Sequence, residues 1–182
     1  MHHPPVEKLV TERFRSLNAS DCPPEIYSWL VEPSSMTARL SAHCQKLEVA
    51  VLREGFITYQ DFTPDERHAW GEGDNQRRFW LREVQLVAEG EPWLVGRTVI
   101  PETTLQGPEA ALMALGNRPL GHHLFQSTSL SRDYLTAGTV CGLWARRSML
   151  RLSQKPLLLT EIFLPASPLY SLSAKGPSLC NP

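Results

Sequence analysis

The sequence predicts an α+β domain built on an antiparallel sheet. Two observations point there. Apolar residues recur at helical spacing over the first forty residues, alternate at strand spacing from Leu47, and then return to each pattern in blocks. Strictly alternating βα units, the mark of a parallel sheet, are absent, and short turn-forming stretches join the strand-like runs.

The elements follow in order. "PPVEKLVTERFRSL" sets Val6, Leu9, Val10, Phe14 and Leu17 on one helical stripe. "PPEIYSWLV" reads as a second helix with Pro24 in its first turn. In "SSMTARLSAHC", Ser34 or Ser35 is a candidate N-cap for a short third. "LEVAVLREGF" opens the strand signals, with Leu47, Val49 and Val51 alternating against Glu48 and Ala50. "DFTPDERHAWGEGDNQRR" is polar and reads as a loop with one helical turn at most. "WLREVQLVAEGEPWLVGRTVIP" reads as a hairpin. "GPEAALMALG" is a short helix between Pro108 and Gly116, and "LGHHLFQS" and "LSRDYLTAG" read as further helical pieces. "RRSMLRLS", a turn at "QKP", and "LLLTEIFLP" close the domain as strands. One domain over residues 1–170 is expected, with 171–182, small and polar, as a frayed tail.

A chain of 182 residues buries about 70% of its unfolded surface, enough for a core without cross-links. The net charge of -1 argues against a general nucleic-acid binder, so attraction for an anion has to be local. Cys22, Cys44, Cys141 and Cys180 form no CxxC pair and read as free thiols of a reducing compartment. No signal peptide opens the chain and no run approaches the roughly 20 apolar residues of a membrane span, which makes the cytoplasm the expected address. His122 and His123 point apart on a helix and lack a partner carboxylate, so a metal site is not expected. Arg146 and Arg147 read as a solvated strand pair, and Met36 as a core methionine.

The hairpin raises the functional question, because each strand carries an arginine among large hydrophobes. With Gly90 and Glu91 as the turn, Val84 opposes Arg97, Arg82 opposes Val99, and both guanidiniums leave one face as diagonal neighbours. Glu161, flanked by leucines, isoleucine and phenylalanine, is expected to be buried with them. A structural ion pair and arginines that snorkel to water both remain open. Two arginines against one glutamate leave a positive pocket, suited to a planar carboxylate.

Taken together, "SMTARL", "LREGF", the hairpin, "GPEAALMALGNRPLGHHLF", "SLSRDYL" and "GLWARRSMLRLSQKPLLLTEIFLPASPLY" resemble the chorismate pyruvate-lyase family from about Ile26 to Tyr170. The resemblance implies a single antiparallel sheet of about six strands, helices packed on it, and helix–turn–helix flaps over an internal ligand cavity. It implies conversion of chorismate to 4-hydroxybenzoate and pyruvate, the first committed step of ubiquinone biosynthesis, without metal or organic cofactor. The implied ligand contacts are Met36, Arg82, Leu120 and Glu161, with Arg97 as a second cavity arginine, and Arg82 and Glu161 are the catalytic candidates. A soluble monomer, with partners no larger than chorismate and 4-hydroxybenzoate, is expected. The alternative is a non-enzymatic domain of the same fold that binds an aromatic acid, as effector domains of some transcription regulators do.

Overall fold

The computed structural model describes residues 5–71 and 77–172. Seven antiparallel strands form one sheet: β1 (Arg15–Ser16), β2 (Leu47–Thr58), β3 (Arg78–Ala88), β4 (Glu91–Pro101), β5 (Leu130–Val140), β6 (Leu143–Leu152) and β7 (Lys155–Phe163). Their order across the sheet is β1-β5-β6-β7-β4-β3-β2. Two three-stranded meanders, β2-β3-β4 and β5-β6-β7, therefore lie side by side, joined where β4 pairs with β7.

The meander turns are short and tight. Glu89–Gly90, Cys141–Gly142 and Ser153–Gln154 all have positive φ, the backbone that matches the twist of two-residue hairpins. Gly90 and Gly142 reach it without the steric cost that Ser153 and Gln154 bear. In the first hairpin Ala88 pairs with Glu91 and Val87 with Pro92, but Leu86 pairs with Leu94, so a bulge skips Trp93. That one residue reverses every later side chain relative to the partner strand. Glu83 consequently faces Arg97, and Arg82 faces Thr98.

Five helices are described: α1 (Val6–Leu9), α2 (Pro24–Leu30), α3 (Met36–Ser41), α4 (Pro64–Trp70) and α5 (Leu120–Phe125). Ser35 caps α3 through a hydrogen bond from the Ala38 N–H. Thr63 and Glu66 cap α4 reciprocally, with Pro64 in its first turn. One face of the sheet packs against α2, α3, α5 and the 3-10 segment Gly107–Ala114, through cores that include Trp29, Leu40, Trp144 and Phe163, and Leu112, Leu124, Leu150 and Leu157. The other face packs against α1 and the segment around α4, through Leu9, Phe14 and Ile162, and Phe62, Phe79 and Leu158.

Several sequence expectations change. The first helix stops at Leu9, and Arg15–Ser16 becomes a strand at the edge of β5. "LSRDYLTAG" is strand β5 rather than helix, because it supplies the outer strand that the meander needs beside β6. The "DFTP" loop contains two helical turns. The last turn falls at Ser153–Gln154, one residue earlier than "QKP". The tail expected after 170 lies almost wholly outside the described residues. Cys22, Cys44 and Cys141 carry free thiols, and Cys180 falls outside the described residues.

Candidate active site

Cross-strand register determines which side chains share the cavity face. Along one row run Glu54, Arg82, Thr98, Leu159 and Ser148; along the next run Val84, Gly96, Glu161 and Arg146. Between this face and the helices lies a partly open cavity lined by residues that include Met36, Arg82, Leu120, Arg132, Arg146 and Glu161. Its free space, about 40 Å³, exceeds the roughly 10–15 Å³ that one ordered water requires. Met36 and Leu120 are the first residues of α3 and α5, and those two helices touch each other beside the cavity they help to line. Gly121 is what permits the contact: a Cβ there would come within 2.9 Å of Ser35 Oγ and 3.0 Å of Thr37 Oγ1.

Arg82 is 1% exposed. It donates to Glu54 and, through Nη2, to the carbonyls of Gly116 at 2.7 Å and Arg118 at 3.1 Å, while its buried Nε has no partner among the described residues. Arg146 donates to Glu161 Oε2 and to the Glu32 carbonyl at 2.8 Å. Glu161 Oε1 takes no hydrogen bond among the described residues. Arg132 sits at a β-bulge that sends Asp133 outward to Arg151 and keeps Arg132 on the cavity face, opposite Leu150. Its Nε is buried without a partner among the described residues, and its guanidinium carbon stands 5.9 Å from the Phe125 ring centre. Three guanidiniums thus meet two carboxylates, Glu54 and Glu161. Buried donors without acceptors cost about 1–3 kcal/mol each. A bound anion would supply the missing acceptors.

Arg97 is not in this cavity. The Trp93 bulge turns it to the opposite face, where Glu66 Oε1 accepts from its Nε at 2.7 Å, Glu66 Oε2 from its Nη2 at 3.0 Å, and Glu83 from its Nη1. Burial alone would lower its pKa; the hydrogen bonds and charges of Glu66 and Glu83 outweigh burial and raise it. The arrangement is a closed structural ion cluster.

Comparison with known proteins places this geometry. A family model described as chorismate lyase matches residues 12–175. The chain belongs to the chorismate lyase family. It is 53% identical over 157 residues to the chorismate pyruvate-lyase of Hamiltonella defensa, covering 86% of this chain and 87% of that one. It is 49% identical over 171 residues to the chorismate pyruvate-lyase of Escherichia coli O9:H4 (strain HS), covering 93% and 100%. Among solved structures, the C-terminal domain of the histidine utilization repressor of Pseudomonas syringae pv. tomato matches with a TM-score of 0.51 at 8% identity, over 75% of this chain and 100% of that one. That likeness is of fold alone. The α+β sheet with helices over a cavity is the expected one, with seven strands in place of about six.

Of the residues expected in this chorismate lyase family member's site, the cavity gathers Met36, Arg82, Leu120 and Glu161, and excludes Arg97. Two cavity arginines escaped the sequence reading. Arg146, which the sequence reads as solvated, is 1% exposed. Its signal was available: a turn at Ser153–Gln154 sets Arg146 directly opposite Glu161. Arg132 was hidden by the helical reading of β5.

Proposed function

We propose that the chain is a chorismate pyruvate-lyase, a carbon–oxygen lyase that converts chorismate to 4-hydroxybenzoate and pyruvate. The carrying observation is the cavity's excess of guanidiniums over carboxylates, with the Nε donors of Arg82 and Arg132 both buried and unpartnered among the described residues. Chorismate is a dianion with one carboxylate on the ring and one on the enolpyruvyl arm. Arg82, already held by Glu54 and two carbonyls, is a fixed donor for the ring carboxylate. Met36 and Leu120 are apolar walls for the ring.

In this reading Glu161 Oε1 takes the hydrogen from ring carbon four. The electron pair of that bond forms the new ring double bond, and the ether bond at ring carbon three breaks with its pair leaving on oxygen. Glu161 then returns the proton to the methylene carbon of the enolpyruvate, giving pyruvate and an unchanged carboxylate. Arg146, bound to Oε2, orients the carboxylate and stabilises charge on the departing oxygen. Aromatisation of the ring drives the reaction. No step calls for a metal or an organic cofactor. The product serves ubiquinone biosynthesis, and the chain acts as a cytoplasmic monomer. No helix among the described residues is long and apolar enough to cross a membrane.

The test follows chorismate loss and 4-hydroxybenzoate appearance together. Equal rates are expected. Glu161→Gln lowers turnover about 10²–10⁴-fold while 4-hydroxybenzoate affinity stays within about tenfold. Turnover within a few fold of wild type moves the hydrogen directly from ring to leaving arm and removes Glu161 from proton transfer. Tight binding of the aromatic acid by the wild-type chain, without turnover of chorismate, restores the non-enzymatic binding domain.

A further inference from the structure

Arg82 and Arg146 each hold a carboxylate of the protein, but Arg132 holds none among the described residues. Its position is a built one. The bulge between Arg132 and Tyr134 turns the neighbouring Asp133 out to Arg151, at 2.8 Å, so the nearest acid in sequence is spent elsewhere. A bulge that re-aims a side chain is a common device beside functional sites. Phe125, the last residue of α5, lies beneath the guanidinium and faces the same cavity. Burial, and after it the neighbouring Arg146 cation, pull the Arg132 pKa below its ordinary value, more than the nearby Glu161 and Glu32 charges raise it.

Arg132 also stands on the far side of the cavity from Arg82. Arg82 is on β3 and Arg132 on β5, with β4, β7 and β6 between them. Four inter-strand steps separate the two backbones by about 19 Å along a flat sheet. Both side chains point into one cavity from opposite flanks. A monoanionic aromatic acid has one carboxylate and engages one flank. A substrate with two carboxylates at separate points engages both.

Resting on the lyase reading above, we infer that Arg132 receives the carboxylate of the three-carbon arm, the one that departs as pyruvate, and so separates dianionic substrate from monoanionic product. The product keeps its grip on Arg82 but has nothing to offer Arg132. Arg132 is therefore a specificity determinant for substrate rather than a general anion contact.

The experiment measures kcat/KM for chorismate and the inhibition constants of two probes, 4-hydroxybenzoate and 3-(carboxymethoxy)-4-hydroxybenzoate, which carries a second carboxylate on an ether arm at ring carbon three. In Arg132→Gln, kcat/KM falls at least about 30-fold and the two-carboxylate probe weakens by a similar factor, while 4-hydroxybenzoate inhibits within about threefold of wild type. Arg132→Lys shows the same split at smaller size, because the charge remains and the fork is lost. Parallel weakening of both probes, or no change in kcat/KM, overturns the inference. If the Gln variant does not fold, the Lys variant decides by the same split. Wild-type protein that neither turns over chorismate nor binds 4-hydroxybenzoate defeats the lyase reading itself, a result distinct from any Arg132 phenotype.

Discussion

The two faces of the sheet bury nearly the same chemistry to opposite ends. On the face against α4, Arg97 and Arg147 meet three carboxylates, Glu66, Glu83 and Asp65. On the cavity face, Arg82, Arg132 and Arg146 meet two, Glu54 and Glu161. A buried cation needs an acceptor for its donors whichever face it is on. Where the protein supplies more acids than arginines, the cluster is complete and structural. Where it supplies fewer, donors are left without acceptors, and in the proposed reading a ligand's carboxylate fills them. The balance of charge, more than the burial of any one arginine, distinguishes a strut from a site.

Arginine deletions on the two faces break this contrast most visibly. Arg97→Ala leaves Glu66 and Glu83 buried without their cation, and is expected to destabilise by about 3–5 kcal/mol. For a chain of this length that lowers Tm by about 10 °C. The folded fraction keeps its affinity for 4-hydroxybenzoate. Adding Glu66→Gln and Glu83→Gln returns part of the lost stability, since the uncompensated charges go. Loss of affinity in folded Arg97→Ala would place Arg97 in the site after all.

Arg82→Ala reverses the pattern. Glu54, its partner, is partly open to solvent, with 24% of its side chain exposed, and water replaces the lost guanidinium. Stability falls by about 1–3 kcal/mol. Affinity for 4-hydroxybenzoate falls by at least about 2 kcal/mol, roughly 30-fold, as calorimetry would measure. Unchanged affinity would remove Arg82 from carboxylate recognition.

The same hairpin shows how far the sequence could be read. Burial of Arg82 and Arg97 was legible from strand alternation, because each is surrounded by large hydrophobes at period two. Their separation onto opposite faces was not. A turn at Glu89–Gly90 without a bulge would still have set Arg82 opposite Arg97; the skipped Trp93 alone moves them to different faces. Pro92, directly before Trp93, is the one local sign of that skip, because proline inside a strand is found at edges, first positions and bulges. Glu161 was legible as a buried acid, and its partner Arg146 followed from the next turn, had it been closed one residue earlier. Met36 and Leu120 were legible through family resemblance alone: chemically they are core residues, and only the docking of α3 and α5 brings them to a cavity wall.

Gly121 lets the helices over the cavity be tested apart from its charges. In Gly121→Ala the new methyl meets Ser35 Oγ and Thr37 Oγ1, short side chains with little room to yield, so α3 and α5 move apart. The expected cost is about 1–2 kcal/mol of stability. Dissociation of 4-hydroxybenzoate, followed by stopped-flow competition, accelerates several-fold because the cover no longer closes fully. An unchanged dissociation rate would show that the product leaves by a route that does not open between these helices.

The smallest effect separates the helical cover from the sheet by pH. Glu109, in the 3-10 segment Gly107–Ala114, accepts from Lys155 Nζ at 2.7 Å beside the β6–β7 turn. That hydrogen bond, with lesser contributions that include Ser153, lowers its pKa from 4.5 to about 2. A carboxyl group with a depressed folded pKa contributes stability that is fully present above 4.5 and lost as pH falls through 2. Between those values the unfolded chain binds more protons than the folded one at this group, so its contribution to stability rises with pH. Glu109→Gln removes the group, and the slope of unfolding free energy near pH 3 falls by the equivalent of roughly one proton. At pH 7 the variant keeps its 4-hydroxybenzoate affinity, because Glu109 is not in the cavity wall. A wild-type slope retained in the variant would mean that Lys155 does not hold the segment to the sheet, leaving the hydrophobic contacts of Leu112 with Leu150 and Leu157 as its anchor.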